Sequence, residues 1–144
     1  MKTSIYSSLA SALLVAVAVS SVFASDGGKG TNSGKPTQVR LRTDLAGAAI
    51  AGKKPAGKAD VRMDPSRSQI DVEVEDVNLA AGTVLTVAVV HGGVSTIVGT
   101  ITLSSTAENE LNLESQHGDV VPAVVSGDMI TVSNGATVIL AGVF

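Results

Sequence analysis

From Val39 onward the apolar residues recur at every second position rather than at the three-and-four spacing of an amphipathic helix, and that period decides the fold class. Val39, Leu41 and Leu45 share one face, with Arg40, Arg42 and Asp44 on the other. Ala59, Val61 and Met63 point inward while Lys58, Asp60 and Arg62 point outward. Ile70, Val72 and Val74 alternate with Asp71, Glu73 and Glu75. Between these two runs Asp64-Pro65-Ser66 is a turn signal, because proline presets φ for the second turn position. The result is a hairpin with a basic strand beside an acidic one.

The pattern continues to the C-terminus. Thr83 to Val90 is almost continuously apolar, as expected of a central strand covered on both faces. His91-Gly92-Gly93 breaks it, and Val94 to Leu103 forms the next strand, with Gly99 at the position of a bulge. Ser104 to Asn109 reads as a loop. Leu111 and Leu113 alternate with Glu110, Asn112 and Glu114, a strand with one wet face. Gln116 to Gly127 is a longer connection. Met129 to Ser133 and Ala136 to Phe144 flank Asn134-Gly135, the dipeptide favoured at the two central positions of a type I′ turn, where both residues need φ > 0. About eight strands at this spacing predict an all-β domain, a single antiparallel β-sandwich or small barrel.

Ahead of it, residues 1–24 read as a signal peptide: Lys2, an apolar stretch from Leu9 to Val19, and Val22-Phe23-Ala24 before a cleavage point. Residues 25–36 (SDGGKGTNSGKP) contain no apolar side chain and read as a flexible Gly/Ser-rich tether. Residues 37–144 form the one β-sandwich domain, large enough for a single core. The expected setting is secreted or periplasmic, and the apolar stretch is too short for a membrane span of about 20 residues. The chain is cysteine-free, which excludes disulfides, thiolate metal sites and a cysteine nucleophile. Signal style and small size together suggest a bacterial protein.

Charge is divided along the chain. After the signal peptide all nine Lys and Arg lie between Lys29 and Arg67, whereas Ser68 to Phe144 holds nine acids and no cation. Pairing of early strands with later ones would set these charges against each other across the sheet, each exposed pair contributing roughly 0.2–1 kcal/mol. The rival expectation is a dipolar subunit that associates head to tail. Nucleic acid is excluded as a partner by the net charge of −3 and by the lack of stacking aromatics, Phe144 being the sole aromatic residue after the signal peptide.

Several residues between Leu45 and Gly92 carry a family resemblance: Leu45-Ala46-Gly47, Pro55 with Gly57-Lys58-Ala59, Asp64-Pro65, Ile70-Asp71-Val72-Glu73-Val74, Leu79 and His91-Gly92. This stretch, about a third of the chain, resembles the chordin-type (CHRD) domain of secreted proteins. The resemblance implies an extracellular β-sandwich module with no catalytic activity. The family pattern tends to end in His-x-His-Gly, and here Val89 stands at the first histidine position.

Few residues could carry chemistry. His91 and His117 are the two histidines, and each precedes a glycine; with Asp119 or Asp128 they could hold copper, zinc or nickel, which suit imidazole. Ser126, His117 and Asp119 supply the members of a hydrolytic triad without a G-x-S-x-G elbow. Carboxylates for glycoside hydrolysis are present without the aromatics that hold sugars. Asp26-Gly27-Gly28 and Asn32 do not have the spacing of an EF-hand loop. Phe144 reads as a plug for one end of the core rather than the mark of an outer-membrane barrel, which needs aromatic girdles. The chain is therefore expected to be no enzyme and to use no cofactor. It should act as a non-catalytic structural or interaction module of the bacterial envelope or extracellular matrix, recognising a protein or envelope component, and as a monomer rather than a polymer. The alternatives are a periplasmic metal-binding protein using His91, His117 and Asp119, and a self-assembling extracellular subunit.

Overall fold

The computed structural model describes residues 37–105 and 109–144; the expected signal peptide (1–24) and tether (25–36) lie outside the described residues. Eight antiparallel strands form one sheet: β1 Val39–Ala46, β2 Ala56–Asp64, β3 Arg67–Glu75, β4 Val84–His91, β5 Val94–Thr102, β6 Glu110–Glu114, β7 Met129–Asn134 and β8 Thr137–Val143. Their spatial order is β5-β4-β7-β8-β1-β2-β3-β6. The sheet curls until its two ends approach, so the all-β expectation resolves as a nearly closed barrel. Among the described residues the one helical piece is a single 3-10 turn, Ser115–His117.

The inward faces follow the alternation. Leu45, Val61, Ile70, Val72, Leu85, Val87, Ile101, Ile130, Val132 and Leu140 are buried in a continuous core. Burying a side chain of this kind contributes about 1.5–3 kcal/mol, which lets a chain without cysteine hold together by packing. Val124, fully buried, and Val121 bring the β6–β7 connection over one end of the core. Phe144 packs against the core as the plug its position suggested, and its backbone exchanges hydrogen bonds with Gly127 and Asp128.

Two seams interrupt the ladder. β1 and β8 share one registered pair, Ala46 with Ala141. Backbones approach closely there: a Cβ on Gly47 would fall 1.7 Å from the Ile139 carbonyl oxygen, and one on Gly142 would fall 2.6 Å from the Asp44 carbonyl oxygen. The second seam lies between β5 and β6, the two ends of the order. There Gly99 leaves room for the Leu111 side chain, which a Cβ would meet at 2.9 Å. The expected bulge is at this place, since Val87 faces Gly99 and Ala88 faces Ile97, leaving Val98 unopposed.

Three local expectations are corrected. β4 is only partly covered on its outer face: Leu85, Val87 and Val89 are buried inward and Ala88 outward, but Thr86 and Val90 are half-buried and Val84 is exposed. The β7–β8 turn is displaced by one residue. Asn134 pairs with Thr137, so the central positions are Gly135 and Ala136, and of Asn134, Gly135 and Ala136 only Gly135 has positive φ, at 57°. That is the glycine-first pattern of a type II′ turn rather than type I′. Glu114, placed by alternation on the wet face of β6, is buried.

Candidate functional site

The outward residues of β1, β2, β3 and β6 line up in three cross-strand rows. One row is Asp44, Lys58, Glu73 and Glu110; the next is Arg42, Asp60, Asp71 and Asn112; the third is Arg40, Arg62, Gln69 and Glu114. Strands about 4.8 Å apart hold these groups at fixed spacing. The outward residues of β4, β5, β7 and β8 include Val84, Thr86, Ala88, Val90, Ile97, Met129, Thr131, Val138 and Ala141, with no charge among them. The charge division of the sequence has thus become two different walls, and its opposed halves meet within one of them.

Asp60 is the centre of the charged wall. Arg40 donates from Nη2 at 2.8 Å and from Nε at 3.1 Å to Asp60 Oδ2, Arg62 donates from Nε at 3.0 Å to Oδ1, and Arg42 donates from Nε to Oδ2. Partial burial raises the Asp60 carboxyl, but the bonds from the three arginines and the Arg40 charge outweigh it, lowering the group from 3.8 to about 2. Three guanidinium groups on one carboxylate leave a local charge of about +2, and all three remain open to solvent. Asp71, directly opposite Asp60, accepts from Gln69 Nε2 at 3.0 Å and from Asn112 Nδ2. A shallow depression of ≈ 640 Å³ lies over the first two rows, floored by Ala59 and Val72.

At the third row Arg67 Nε lies 2.8 Å from Glu114 Oε1, near enough for an ion pair although its N–H is not aligned on the oxygen. Arg67 Nη2 donates to Gln69 at 2.9 Å. The sequence pattern put Lys58 and Arg62 against Asp71, Glu73 and Glu75. Lys58 does stand opposite Glu73, but Arg62 stands opposite Gln69 and bonds to Asp60 of its own strand, and Glu75 stands opposite Ala56.

The two histidines have different carboxylate partners. His91 Nδ1 is 2.7 Å from Asp128 Oδ1 at the end of β4, and the other oxygen of the buried Asp128 accepts from the Val125 backbone N–H at 2.9 Å. The Val125 hydrogen bond, helped by His91 and opposed by burial, lowers the Asp128 carboxyl below its ordinary value. His117 Nδ1 is 3.7 Å from Glu114 Oε2, and Asp119 uses Oδ2 to accept from the Glu114 backbone N–H at 2.9 Å. Asp119 is thus engaged in fixing the turn after β6. Among the described residues no three His, Asp or Glu side chains gather as a metal site would require. Ser126 directs its hydroxyl to the Phe144 carbonyl oxygen at 3.5 Å.

Alternation alone placed Arg40, Arg42, Asp60 and Arg62 outward. It could not show their convergence, because that depends on β1 pairing with β2 in the register that sets Arg42 beside Asp60. The His91–Asp128 contact joins residues 37 positions apart and left no local signal. Compared with known proteins, the chain matches no family model, and neither a curated protein nor a solved structure is found similar to it.

Proposed function

We propose that this chain is a secreted, non-catalytic structural or interaction module of the bacterial envelope or extracellular matrix, and that it meets its partner through the charged wall. The observation that carries the reading is the convergence of Arg40, Arg42 and Arg62 on Asp60 within three ordered rows. A sheet face with guanidinium groups pre-positioned by a carboxylate presents a fixed charge pattern, and arginine in such a setting suits bidentate recognition of carboxylate or phosphate. Neighbouring acids on β3 and β6 limit the partner to one whose charges match at contact distance. The resemblance to chordin-type domains supports the same class of extracellular module, as does the signal-peptide pattern.

Fractionation of the producing cells tests this directly. The protein should lie outside the cytoplasm, cleaved after Ala24, and should sediment with isolated envelope or matrix material. Arg40→Ser with Arg42→Ser should leave the thermal midpoint within a few degrees and weaken that retention about tenfold or more, the scale for losing two charged hydrogen-bonding groups. A cytoplasmic protein, or retention equal in the double variant, would contradict the proposal.

A further inference from the structure

The two end strands of the barrel differ in how they are guarded. β6 is five residues long and carries Glu110 and Glu114. β5 is nine residues long, VSTIVGTIT, with no charge and no proline, and seven of its residues are β-branched. Natural sheet edges are normally blunted by charge, proline or brevity, because a row of unpaired N–H and C=O groups is a template for another strand. The Gly99 bulge is the one such device in β5. Leu111 of β6 covers the edge at Gly99, yet Val94, Ser95, Thr96 and Ile97 are all exposed, Val94 at 67% and Ile97 at 69%.

We propose that this open half of β5 pairs, antiparallel, with the same segment of a second copy. A two-fold axis at Thr96 would set Thr96 beside Thr96, Ser95 beside Ile97 and Val94 beside Val98. Charge selects this occupant. β5 and the outward residues of β4 beside it are uncharged, so two copies meet without repulsion and without stripping water from an ion. Pairing with β6 of another copy would instead set the charged Glu110 and Glu114 along the uncharged β5. An isologous pair closes on itself and stops at two. The ladder is short, far below the roughly 800 Å² per partner of a standard interface, so the dimer is weak and depends on concentration. Having no charge at its centre, it does not respond to salt. This inference goes beyond the proposed function and does not depend on it.

Sedimentation velocity of the mature chain over a wide concentration range is the test. Wild type should shift from monomer to dimer, and Ile97→Lys should weaken the dimer about tenfold or more by opposing two like charges across the axis. Lys58→Ser, on the charged wall, should leave it unchanged. Because the chain has no cysteine, Thr96→Cys gives a clean second readout. Residues directly opposite in an antiparallel pair have Cα atoms about 4.5–5.5 Å apart, within disulfide reach. Thr96→Cys should therefore form a disulfide-linked dimer under mild oxidation, and Val84→Cys on β4 should not. Monomer at every concentration, a dimer indifferent to Ile97→Lys, equal crosslinking of both cysteine variants, or growth beyond two copies would each overturn the proposal.

Discussion

Asp60 and Asp71 face each other directly across the β2–β3 ladder, two carboxylates at a position where like charges are destabilising. Each turns to its own donors: Asp60 to Arg40, Arg42 and Arg62, and Asp71 to Gln69 and Asn112. The two residues should therefore respond unequally to neutralisation. Asp60→Asn leaves three guanidinium groups without their carboxylate and should destabilise the fold by about 1–2 kcal/mol. Asp71→Asn removes repulsion and should cost less than about 0.5 kcal/mol. Chemical denaturation of the two variants checks the contrast.

The same carboxylate sets an acid limit. Asp60 titrates at about 2 in the folded protein, lowered from 3.8. Its contribution is therefore complete above the unfolded value and is lost as pH falls toward the folded one. At face value the shift is worth roughly 2 kcal/mol, and solvent screening of the exposed arginines reduces this to about 1 kcal/mol. Stability should fall between about pH 4 and pH 2 more steeply in wild type than in Asp60→Asn. Equal slopes would show that the arginines do not hold Asp60 ionised.

Gly135 is the single residue of its turn with positive φ. Gly135→Val should cost more than about 1 kcal/mol, because a β-branched side chain strains that conformation. Asn134→Ala should cost much less, since Asn134 sits in the strand pair closing the turn. Urea midpoints of the two variants separate this turn from one centred on Asn134 and Gly135.

The β1–β8 seam depends on the absence of side chains. A Cβ on Gly47 would fall 1.7 Å from a backbone oxygen, a contact relieved only by moving the strands apart. Gly47→Ala should lower stability by about 1–3 kcal/mol, the usual cost of overpacking. Amide exchange should rise first around Ala46 and Ala141. A variant as stable as wild type would mean the seam can open without loss.

Much of this architecture was legible in the sequence because a period of two has one physical meaning. It located the Ala56–Glu75 hairpin and the inward residues Val61, Ile70 and Val72, and a glycine inside an apolar strand marked the bulge at Gly99. Periodicity does not describe which strands become neighbours. The apolar run Thr83 to Val90 reads as a central strand covered on both faces; β4 does have a neighbour on each side, but part of its outer face, Val84 above all, lies open in the uncharged wall. Alternation places Glu114 on the wet face of β6, while the ion pair with Arg67 that accompanies its burial involves a residue 47 positions earlier. For the same reason His91–Asp128 and the arginine trio needed the register before they could be seen.

The histidine partners bear on metal binding. With His91 on Asp128 and His117 on Glu114, Zn²⁺ or Cu²⁺ should leave the thermal midpoint within about 1 °C, since only a ligand bound to the native state raises it. A rise equivalent to roughly 2.7 kcal/mol at a hundredfold excess over Kd, abolished by both His91→Ala and His117→Ala, would favour the metal-binding alternative.

Most charge on the strands is confined to one wall, where Arg40, Arg42, Lys58 and Arg62 of β1 and β2 lie beside Asp60 and the acids of β3 and β6. Alternating charges a few ångströms apart cancel at a distance, so dilute protein should feel no salt-dependent attraction between copies. Light scattering at low protein concentration, from about 10 mM salt with a Debye length near 30 Å to about 1 M with one near 3 Å, measures this most directly. One monomeric size is expected throughout. Large species in dilute buffer that dissolve as salt rises would contradict it, because they would require the positive and negative regions to act as opposite poles of the molecule.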